Sequence, residues 1–347
     1  MTSKVSGTDQ RAVPAVSGTQ LCIGQGEELS APSPQHQLLL GFYFGSGAAR
    51  AGHPAVVDIG IDPIDRAEIY EGWWYEGEVS FTVDGTTTIA QCDDYAVVTV
   101  QVPDTAPDKF RACTYEVYKE LMRAARTTGH RRLVRIWNYF GEINAGDGDD
   151  EKYRQFSIGR AQVFEELGIQ DEMVPAGTAI GSVRESAFTV IALVSKHHFQ
   201  NVENPRQVSA FRYPPVYGPK SPKFSRAGCV SVADQRLFLI SGTAAIVGHE
   251  SVHAGDVGLQ TEETLNNLQG LCDAISAIAS PGVQLTLDDE AVLRVYMRNS
   301  SDLEVVAAKL QKLLGAAGRN IAFLNADICR RELMVEIDGA KTAVVPK

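Results

Sequence analysis

A pattern of helices and strands that occurs twice is the feature that most constrains the fold of this chain. In each copy an amphipathic helix is followed by a strand, a second helix and two further strands, over residues 106–195 and again over residues 259–337. The first strands of the two copies, residues 132–137 and 292–296, are similar in sequence. Because each copy has the content of a βαβαβ-type unit, we expect an α/β fold of two related domains, with helices packed on one face of each mixed sheet.

The composition narrows the range of partners. The chain has 347 residues, 44% of them apolar, which is enough for two domains with a real core. A net charge of −11 argues against a surface for nucleic acid or for anionic membranes. No apolar run reaches the roughly 18 residues that span a bilayer, and the N-terminus lacks the apolar core of a secretion signal. Six scattered cysteines without a Cys-x-x-Cys pair are typical of free thiols, so we expect a cytoplasmic protein.

The chain divides into four segments. Residues 1–36 are rich in Ser, Thr, Gly, Pro and Gln, which predicts a flexible N-terminal arm. Residues 37–200 form the predicted N-terminal domain and residues 225–347 the C-terminal domain. Between them, residues 201–224 are rich in Pro, Tyr and Gly, a composition that favours an ordered loop over a site.

One predicted helix, residues 150–167, carries an arginine on its apolar face. Tyr153, Arg160 and Phe164 lie on that face at helical spacing. A guanidinium stays protonated, and burying it without a partner is costly. We therefore expect Arg160 to face a carboxylate, either from the protein or from a ligand. Since Tyr153 points the same way, this wall of the helix suits a small anionic ligand.

Two residues near the C-terminus have both an ordinary and a catalytic interpretation. Glu336 alternates with the apolar residues of the last predicted strand, residues 332–337, and on a one-sided sheet it is a solvated residue. If its face lines a cavity, desolvation raises the pKa of the carboxyl, which can then act as a general acid near neutral pH. Cys329 is either a structural thiol or a thiolate favoured by the two arginines that follow it.

Three further features have more than one interpretation. Arg226 precedes a predicted strand and is either a surface residue or a second clamp for a carboxylate. Tyr213 either packs within the loop or contacts a ligand. Residues 249–253, His-Glu-Ser-Val-His, match a zinc-protease pattern that requires a helix. Because a strand precedes them and a glycine follows closely, a helix has no room, and we expect two loop histidines without a metal.

Motifs in the C-terminal half resemble those of the reactive-intermediate deaminase family, whose domains usually form trimers with ligand sites between subunits. They are Leu239-Ile240-Ser241-Gly242-Thr243-Ala244, Gly255-Asp256, residues 260–268, Val295-Tyr296-Met297 and Leu333-Met334-Val335-Glu336-Ile337. Longer motifs, in a resemblance that covers nearly everything after the arm, are similar to those of the chorismatases. They are Arg135-Ile136-Trp137-Asn138-Tyr139-Phe140-Gly141-Glu142-Ile143-Asn144, Tyr153-Arg154-Gln155-Phe156, Gly159-Arg160-Ala161, Tyr213-Pro214-x-x-Tyr217-Gly218 and Phe224-Ser225-Arg226-Ala227. These resemblances imply two deaminase-like domains in a pseudo-trimer-like arrangement.

The resemblance to chorismatases implies an enzyme that removes the enolpyruvyl side chain of chorismate as pyruvate, without a metal or an organic cofactor. It implies that Glu336 protonates the enolpyruvyl methylene, and that water or a group of the substrate then traps the oxocarbenium-like centre. Chorismate carries two carboxylates, for which we expect Arg160 and Arg226 as clamps. Tyr153 and Tyr213 are the expected hydrogen-bonding partners.

The branches of this family differ in their products. The resemblance implies that Gly242 and Cys329 occupy positions where the hydrolases have alanines and the 3-hydroxybenzoate synthases have a glycine and a cysteine. We therefore expect a 3-hydroxybenzoate synthase that supplies an aromatic building block for secondary metabolism, such as antibiotic biosynthesis. The alternatives are a chorismate hydrolase that yields a dihydroxycyclohexadiene carboxylate, an imine or enamine deaminase, and a small-acid binding module. The oligomeric state is open between a monomer and a homotrimer.

Overall fold

The computed structural model describes residues 21–46, 52–182, 187–278, 285–288, 290–314 and 320–344. Its strands are β1 Leu21–Gly26, β2 His36–Gly45, β3 Val56–Asp58, β4 Asp62–Pro63, β5 Glu68–Glu76, β6 Ser80–Asp84, β7 Thr87–Gln91, β8 Tyr95–Pro103, β9 Arg132–Gly141, β10 Ala176–Ser182, β11 Ala187–Ser195, β12 Phe199–Val202, β13 Ala227–Val232, β14 Gln235–Ala244, β15 Ile246–Val247, β16 Glu250–Ser251, β17 Val292–Met297, β18 Ile321–Asn325, β19 Asp327–Ile328 and β20 Val335–Val344. Its α-helices are α1 Pro107–Thr127, α2 Lys152–Glu166, α3 Val257–Ile278 and α4 Leu303–Leu314.

Two seven-stranded sheets have the same strand order. The first sheet runs β19-β10-β9-β11-β8-β7-β6, and the second, from its other edge, runs β4-β18-β17-β20-β14-β13-β12. In both sheets one central pair is parallel, β9 with β10 and β17 with β18, and the next strand pairs antiparallel to it. The predicted duplication of a βαβαβ-type unit is therefore confirmed.

The helices cover one face of each sheet, as predicted. α1 begins at Pro107, which suits the first helical position because proline has no N–H to leave unpaired there, and Gly129 with a positive φ follows its end. The buried side of α1, including Phe110 and Leu121, packs with α2 against one side of the first sheet. α3 and α4 pack in the same way on the second sheet. Apolar periodicity in the helices and alternation in the strands thus produce two equivalent layers.

The opposite faces of both sheets meet a third sheet at a common core. This sheet has four strands in the order β1-β5-β2-β3. Trp137 on β9 makes edge contacts with Phe42 and Trp73 of the third sheet, at ring-centroid distances of 5.3 and 5.5 Å, and Tyr296 on β17 belongs to the same apolar cluster. Three sheets around one core give the pseudo-trimer-like arrangement that was expected.

The predicted flexible arm over residues 1–36 is wrong at its C-terminal end. Leu21–Gly26 forms β1, which pairs antiparallel with β5, and Leu21 is fully buried. The Gln235 side-chain amide bonds both backbone groups of Leu21, at 3.1 and 2.8 Å. Composition missed this strand because its burial depends on partners far along the chain. Residues 1–20 of the arm lie outside the described residues.

The segment between the predicted domains is ordered. It contains the end of β12 and two 3-10 turns, Ala210–Arg212 and Pro215–Tyr217. Two short strands also cross between the halves: β19 pairs with β10 in the first sheet, and β4 pairs with β18 in the second. The domain boundaries near residues 37, 201 and 225 stay predictions.

A buried ion network joins the three sheets. Arg135 on β9 donates to Asp338 on β20 at 2.8 Å, and Arg294 on β17 donates to the same carboxylate at 3.2 Å. Arg294 also donates through Nε to Glu71 on β5 at 2.9 Å. All four side chains are at most 2% exposed. Removing one member of such a network leaves a buried charge unpaired, which typically costs about 3–5 kcal/mol, so this network fixes how the sheets sit against each other.

Candidate active site

A cavity of about 370 Å³ lies where β10, β14 and β20 come together. α2 forms one wall, and the loop of residues 201–224 contributes to another. The Gly177 N–H on β10 donates to the Ser241 hydroxyl on β14 at 2.8 Å, which joins the two large sheets at this point. All seven residues predicted for the site line the cavity: Glu336, Cys329, Gly242, Arg160, Tyr153, Tyr213 and Arg226.

Glu336 lies on β20 and points into the cavity, whereas its neighbours Val335 and Ile337 point into the core under α3. It is 5% exposed. Burial raises the pKa of the Glu336 carboxyl to about 8, and the charge of Asp338 adds to this rise against the opposing effects of Arg135 and Arg226. The carboxyl is therefore protonated at neutral pH, which is what a general acid requires.

A bulge in β14 makes room for this acid. Ile240 pairs with Gly339 and Thr243 with Ile337, so two β14 residues, the second of them Gly242, stand opposite one residue of β20. A Cβ atom at Gly242 would lie 1.9 Å from Oε1 of Glu336, closer than real Cβ contacts. Only glycine at position 242 allows Glu336 to occupy this place.

Cys329 directly follows β19 and lies beside the acid, with its Sγ 4.0 Å from Oε2 of Glu336. Burial, and then the charge of Glu336, raise the pKa of the Cys329 thiol despite the opposing effect of Arg330. Of the two interpretations of Cys329, the structure favours the thiol, because desolvation outweighs the neighbouring arginine. A neutral thiol next to a neutral carboxyl forms this end of the cavity.

Arg160 on α2 is a buried cation that lacks a carboxylate partner. It is 3% exposed, and its Nε and Nη2 atoms have no hydrogen-bond partner within the described part of the chain. The guanidinium stacks on Phe156 at 4.7 Å from the ring centroid. None of the described residues supplies the carboxylate that was expected to face Arg160. Tyr153 lies on the same face of α2 as Arg160, and burial raises the pKa of its phenol further above neutral.

Arg226 is another buried cation that lines the cavity, and Tyr213 orients it. Arg226 is 3% exposed and donates through Nη2 to the Tyr213 hydroxyl at 2.6 Å and to the Val208 carbonyl at 2.9 Å. Its Nε has no partner among the residues that the structure describes. Since the Tyr213 oxygen accepts from Arg226, its own proton is available to a ligand.

Comparison with known proteins shows which family has this sequence. A family model described as chorismatase FkbO/Hyg5-like, N-terminal, matches residues 71–194. A chorismatase from Streptomyces hygroscopicus is 34% identical over 279 residues, which is 79% of this chain and 80% of that protein. This chain belongs to the chorismatase family. A chorismatase from Streptomyces rapamycinicus is 36% identical over 276 residues, or 78% of this chain and 81% of that protein.

Two further chorismatase relatives extend the match. A 3-hydroxybenzoate synthase from Streptomyces hygroscopicus is 32% identical over 279 residues, covering 78% of this chain and 80% of that protein. The crystal structure of a chorismatase superposes with a TM-score of 0.79 at 28% identity, covering 92% of this chain and 97% of that one. Both sequence and fold therefore place almost all of the described chain within one family.

The chorismatase cavity also contains residues that sequence reasoning did not assign. Arg330 lies over the Tyr217 ring at 3.8 Å and over the Tyr213 ring at 5.1 Å, and it donates to the His249 carbonyl at 2.9 Å. It thereby ties the loop of residues 201–224 to the hairpin of β15 and β16. Its position directly after Cys329 was the signal that could have found it. Thr178 on β10 gave no signal, because a threonine in a strand is ordinary.

The histidine segment at residues 249–253 is not helical, as predicted. Glu250–Ser251 forms β16, and His253 has a φ of 58°. Among the described residues, no group of three His, Cys, Asp or Glu side chains is arranged to hold a metal ion. None of the described helices is long and apolar enough to cross a membrane.

Proposed function

We propose that this chorismatase converts chorismate into 3-hydroxybenzoate and pyruvate. The observation that carries the proposal is the placement of Glu336: a buried carboxyl, protonated at neutral pH, that lies between a glycine and a thiol. The same cavity contains Arg160 and Arg226, which both have unpaired N–H groups. The family assignment supplies the chorismate-cleaving reaction. The choice of product is our own inference and rests on Gly242 and Cys329.

The cavity is suited to a small dianion. Chorismate has one carboxylate on its ring and another on the enolpyruvyl group, and the unpaired atoms of Arg160 and Arg226 offer one cation to each. Charge-assisted bonds from arginine to carboxylate are among the strongest in proteins, and here they form inside a desolvated pocket. The phenol hydroxyls of Tyr153 and Tyr213 add hydrogen-bond donors to the cavity. The two clamps hold the enolpyruvyl group at a fixed distance from Glu336.

The reaction begins with a proton transfer. The Glu336 carboxyl gives its proton to the methylene carbon of the enolpyruvyl group, the C=C electron pair forms the new C–H bond, and an oxocarbenium-like centre remains. The carboxylate left on Glu336 stabilises this positive centre and later takes back a proton from the substrate. A proton donor with a pKa near the working pH serves both steps.

The product depends on what traps the cationic centre. In the proposed path the 4-hydroxyl of the substrate adds to the cationic carbon in place of water and loses its proton to the Glu336 carboxylate. The C4–O bond then breaks and the proton on C3 leaves, so that the ring aromatises. The former 4-oxygen departs in pyruvate, and the 3-oxygen stays on the ring as the phenol. The two products together contain all the atoms of chorismate, so this path consumes no water. Gly242 supports it because an alanine there would displace the Glu336 carboxyl and change the pose in which the substrate is protonated.

The test is to incubate the purified protein with chorismate, measure pyruvate, and separate the ring products by chromatography. Pyruvate with 3-hydroxybenzoate supports the proposal. Pyruvate with the dihydroxycyclohexadiene carboxylate contradicts the choice of product but keeps the role of Glu336. Intact chorismate contradicts the whole proposal. The cytoplasmic location and the state as monomer or homotrimer stay predictions.

A further inference from the structure

Thr178 occupies a central position that the proposed reaction does not yet use. It lies on β10, is 4% exposed, and lines the cavity opposite the β14 bulge. Its hydroxyl donates to Oδ2 of Asp338 at 2.8 Å and accepts from the Gly242 N–H at 3.0 Å and from Nη2 of Arg135 at 2.6 Å. One side chain therefore joins the bulge, the ion network and the cavity wall.

These three bonds use the full capacity of the hydroxyl. A hydroxyl has one proton to donate and two lone pairs to accept with, and the partners fix their use. The N–H groups of Gly242 and Arg135 can only donate, so the hydroxyl proton must go to Asp338. No donor or acceptor is left for a substrate. Thr178 thus acts on its protein neighbours and makes no hydrogen bond of its own to a ligand through the hydroxyl.

Both main partners of Thr178 control the catalytic acid. Gly242 sits in the bulge, where it stands against Oε1 of Glu336, and its N–H has left the ladder with β20. Thr178 is the acceptor for that N–H, so it holds the bulge in its shape. Asp338 lies two residues after Glu336 on the same face of β20, where its charge acts on the acid. A shift of either neighbour moves the carboxyl or changes its surroundings.

A second chain of bonds links Thr178 to the substrate clamp. Its carbonyl accepts from the Asn138 side chain at 2.8 Å, and Asn138 in turn accepts from the Tyr118 hydroxyl at 2.6 Å. Tyr118 is fully buried near Arg160, whose charge affects its pKa. Hydrogen bonds therefore run from Tyr118, a neighbour of Arg160, to Thr178 at the bulge under the acid.

We propose that Thr178 is a positioning residue, which fixes the Glu336 carboxyl for proton transfer by holding the β14 bulge and Asp338 in place. This inference rests on the proposed function. Because the hydroxyl reaches no substrate atom, its loss affects the alignment of the acid more than substrate binding. We therefore expect loss of the hydroxyl to lower kcat and to leave KM nearly unchanged.

The test compares Thr178→Val with Thr178→Ser under saturating chorismate. Valine has nearly the shape of threonine but no hydroxyl, and serine keeps the hydroxyl. We expect kcat of T178V to fall about tenfold or more, while KM stays within about threefold of the wild-type value. The reason is that the substitution removes the bonds that hold Asp338 and Gly242 beside the acid and removes no bond to the substrate. T178S keeps a kcat within about threefold of the wild type. T178V also releases a larger share of water-trapped product.

The outcomes separate this inference from the proposed function. If the wild type releases no pyruvate, the proposed function fails. If the wild type is active and T178V shows the same kcat and the same product ratio as the wild type, the positioning role of Thr178 is overturned. Equal losses in T178V and T178S also overturn it, because the hydroxyl would then be irrelevant. Near-ultraviolet circular dichroism checks that each variant is folded, and T178A replaces T178V in the same comparison if the valine variant does not fold.

Discussion

The two large sheets follow the same strand order, yet their equivalent strands β11 and β20 present different side chains to the shared core. In the first sheet Ile191 stands opposite Trp137, and in the second sheet Glu336 stands opposite Tyr296 at the same register. One unit therefore has an apolar residue where the other has the proposed acid. The same fold unit fills a core in one copy and lines the candidate site in the other.

The next pair of residues along these strands connects the two copies through one carboxylate. Both units carry an arginine at the equivalent position, Arg135 in the first and Arg294 in the second, but the residues opposite them are Leu193 and Asp338. The single Asp338 serves both arginines, and Glu71 from the third sheet completes the charge balance. The two units thus differ in a few side chains on a shared backbone arrangement.

The largest effect is expected at the position where the copies differ most. Glu336→Gln removes the transferable proton while keeping the shape of the side chain, so we expect kcat to fall by about a thousandfold or more. The matched change in the other sheet, Ile191→Val, should keep the wild-type kcat and cost only about 1 kcal/mol of stability. For both variants, pyruvate release measures kcat and urea unfolding measures stability. A comparable kcat loss in I191V would show that the two positions are functionally equivalent after all.

The second effect concerns the shared carboxylate. Asp338→Asn leaves Arg135 and Arg294 buried with half of their countercharge, which should lower the free energy of unfolding by about 3–5 kcal/mol. Leu193→Met, at the equivalent position of the first sheet, should lower it by less than about 1.5 kcal/mol. Urea unfolding of both variants is the measurement. Equal losses would mean that the ion network adds nothing beyond packing.

The third effect contrasts two buried arginines of the first half. Among the described residues Arg160 has no carboxylate partner, whereas Arg135 has Asp338. Arg160→Met should raise KM for chorismate by about a hundredfold, which corresponds to about 2.7 kcal/mol, while the free protein becomes more stable because an unpaired charge is gone. Arg135→Met should instead destabilise the protein. Thermal unfolding without ligand is the measurement. If the Tm of both variants shifts in the same direction, the contrast is contradicted.

The fourth effect is a pH dependence that only the second sheet carries. The acid must be protonated to act, so kcat should be constant below a pH of about 8 and fall about tenfold per pH unit above it. The raised pKa also means that the folded state holds a proton that the unfolded state has lost from about pH 4.5 upward. Wild-type stability should therefore decline between about pH 4.5 and 8 relative to E336Q, and level off above. A kcat that stays constant to pH 10 would contradict the assignment.

The predictability of the site differed from residue to residue. Helical spacing alone indicated that Arg160 lies on the apolar face of its helix. The structure shows it buried, with no carboxylate partner from the residues that are described. Alternation placed Glu336 opposite the apolar face of its strand, but only the resemblance to chorismatases turned that face into a cavity wall. Strand periodicity reports which residues share a face, and it does not report what packs on that face.

The parts that escaped prediction depend on contacts between distant segments. Thr178 and Asp338 gain their importance from a bulge at Gly242, and a bulge is a matter of register between two strands that the sequence of one strand does not reveal. The third sheet was missed for a related reason. β1 is a short strand in a polar region, and its burial follows from its pairing with β5 and its contact with Gln235.

The exchange of β19 and β4 between the sheets has a consequence for the order of events during synthesis. A growing chain completes β10 long before it reaches β19, so the first sheet leaves the ribosome with one edge unpaired. Cys329 arrives with the strand that closes that edge, and Glu336 follows within the next few residues. The candidate site therefore cannot be assembled before residues 327–336 have been synthesised, although the rest of the first sheet is made much earlier.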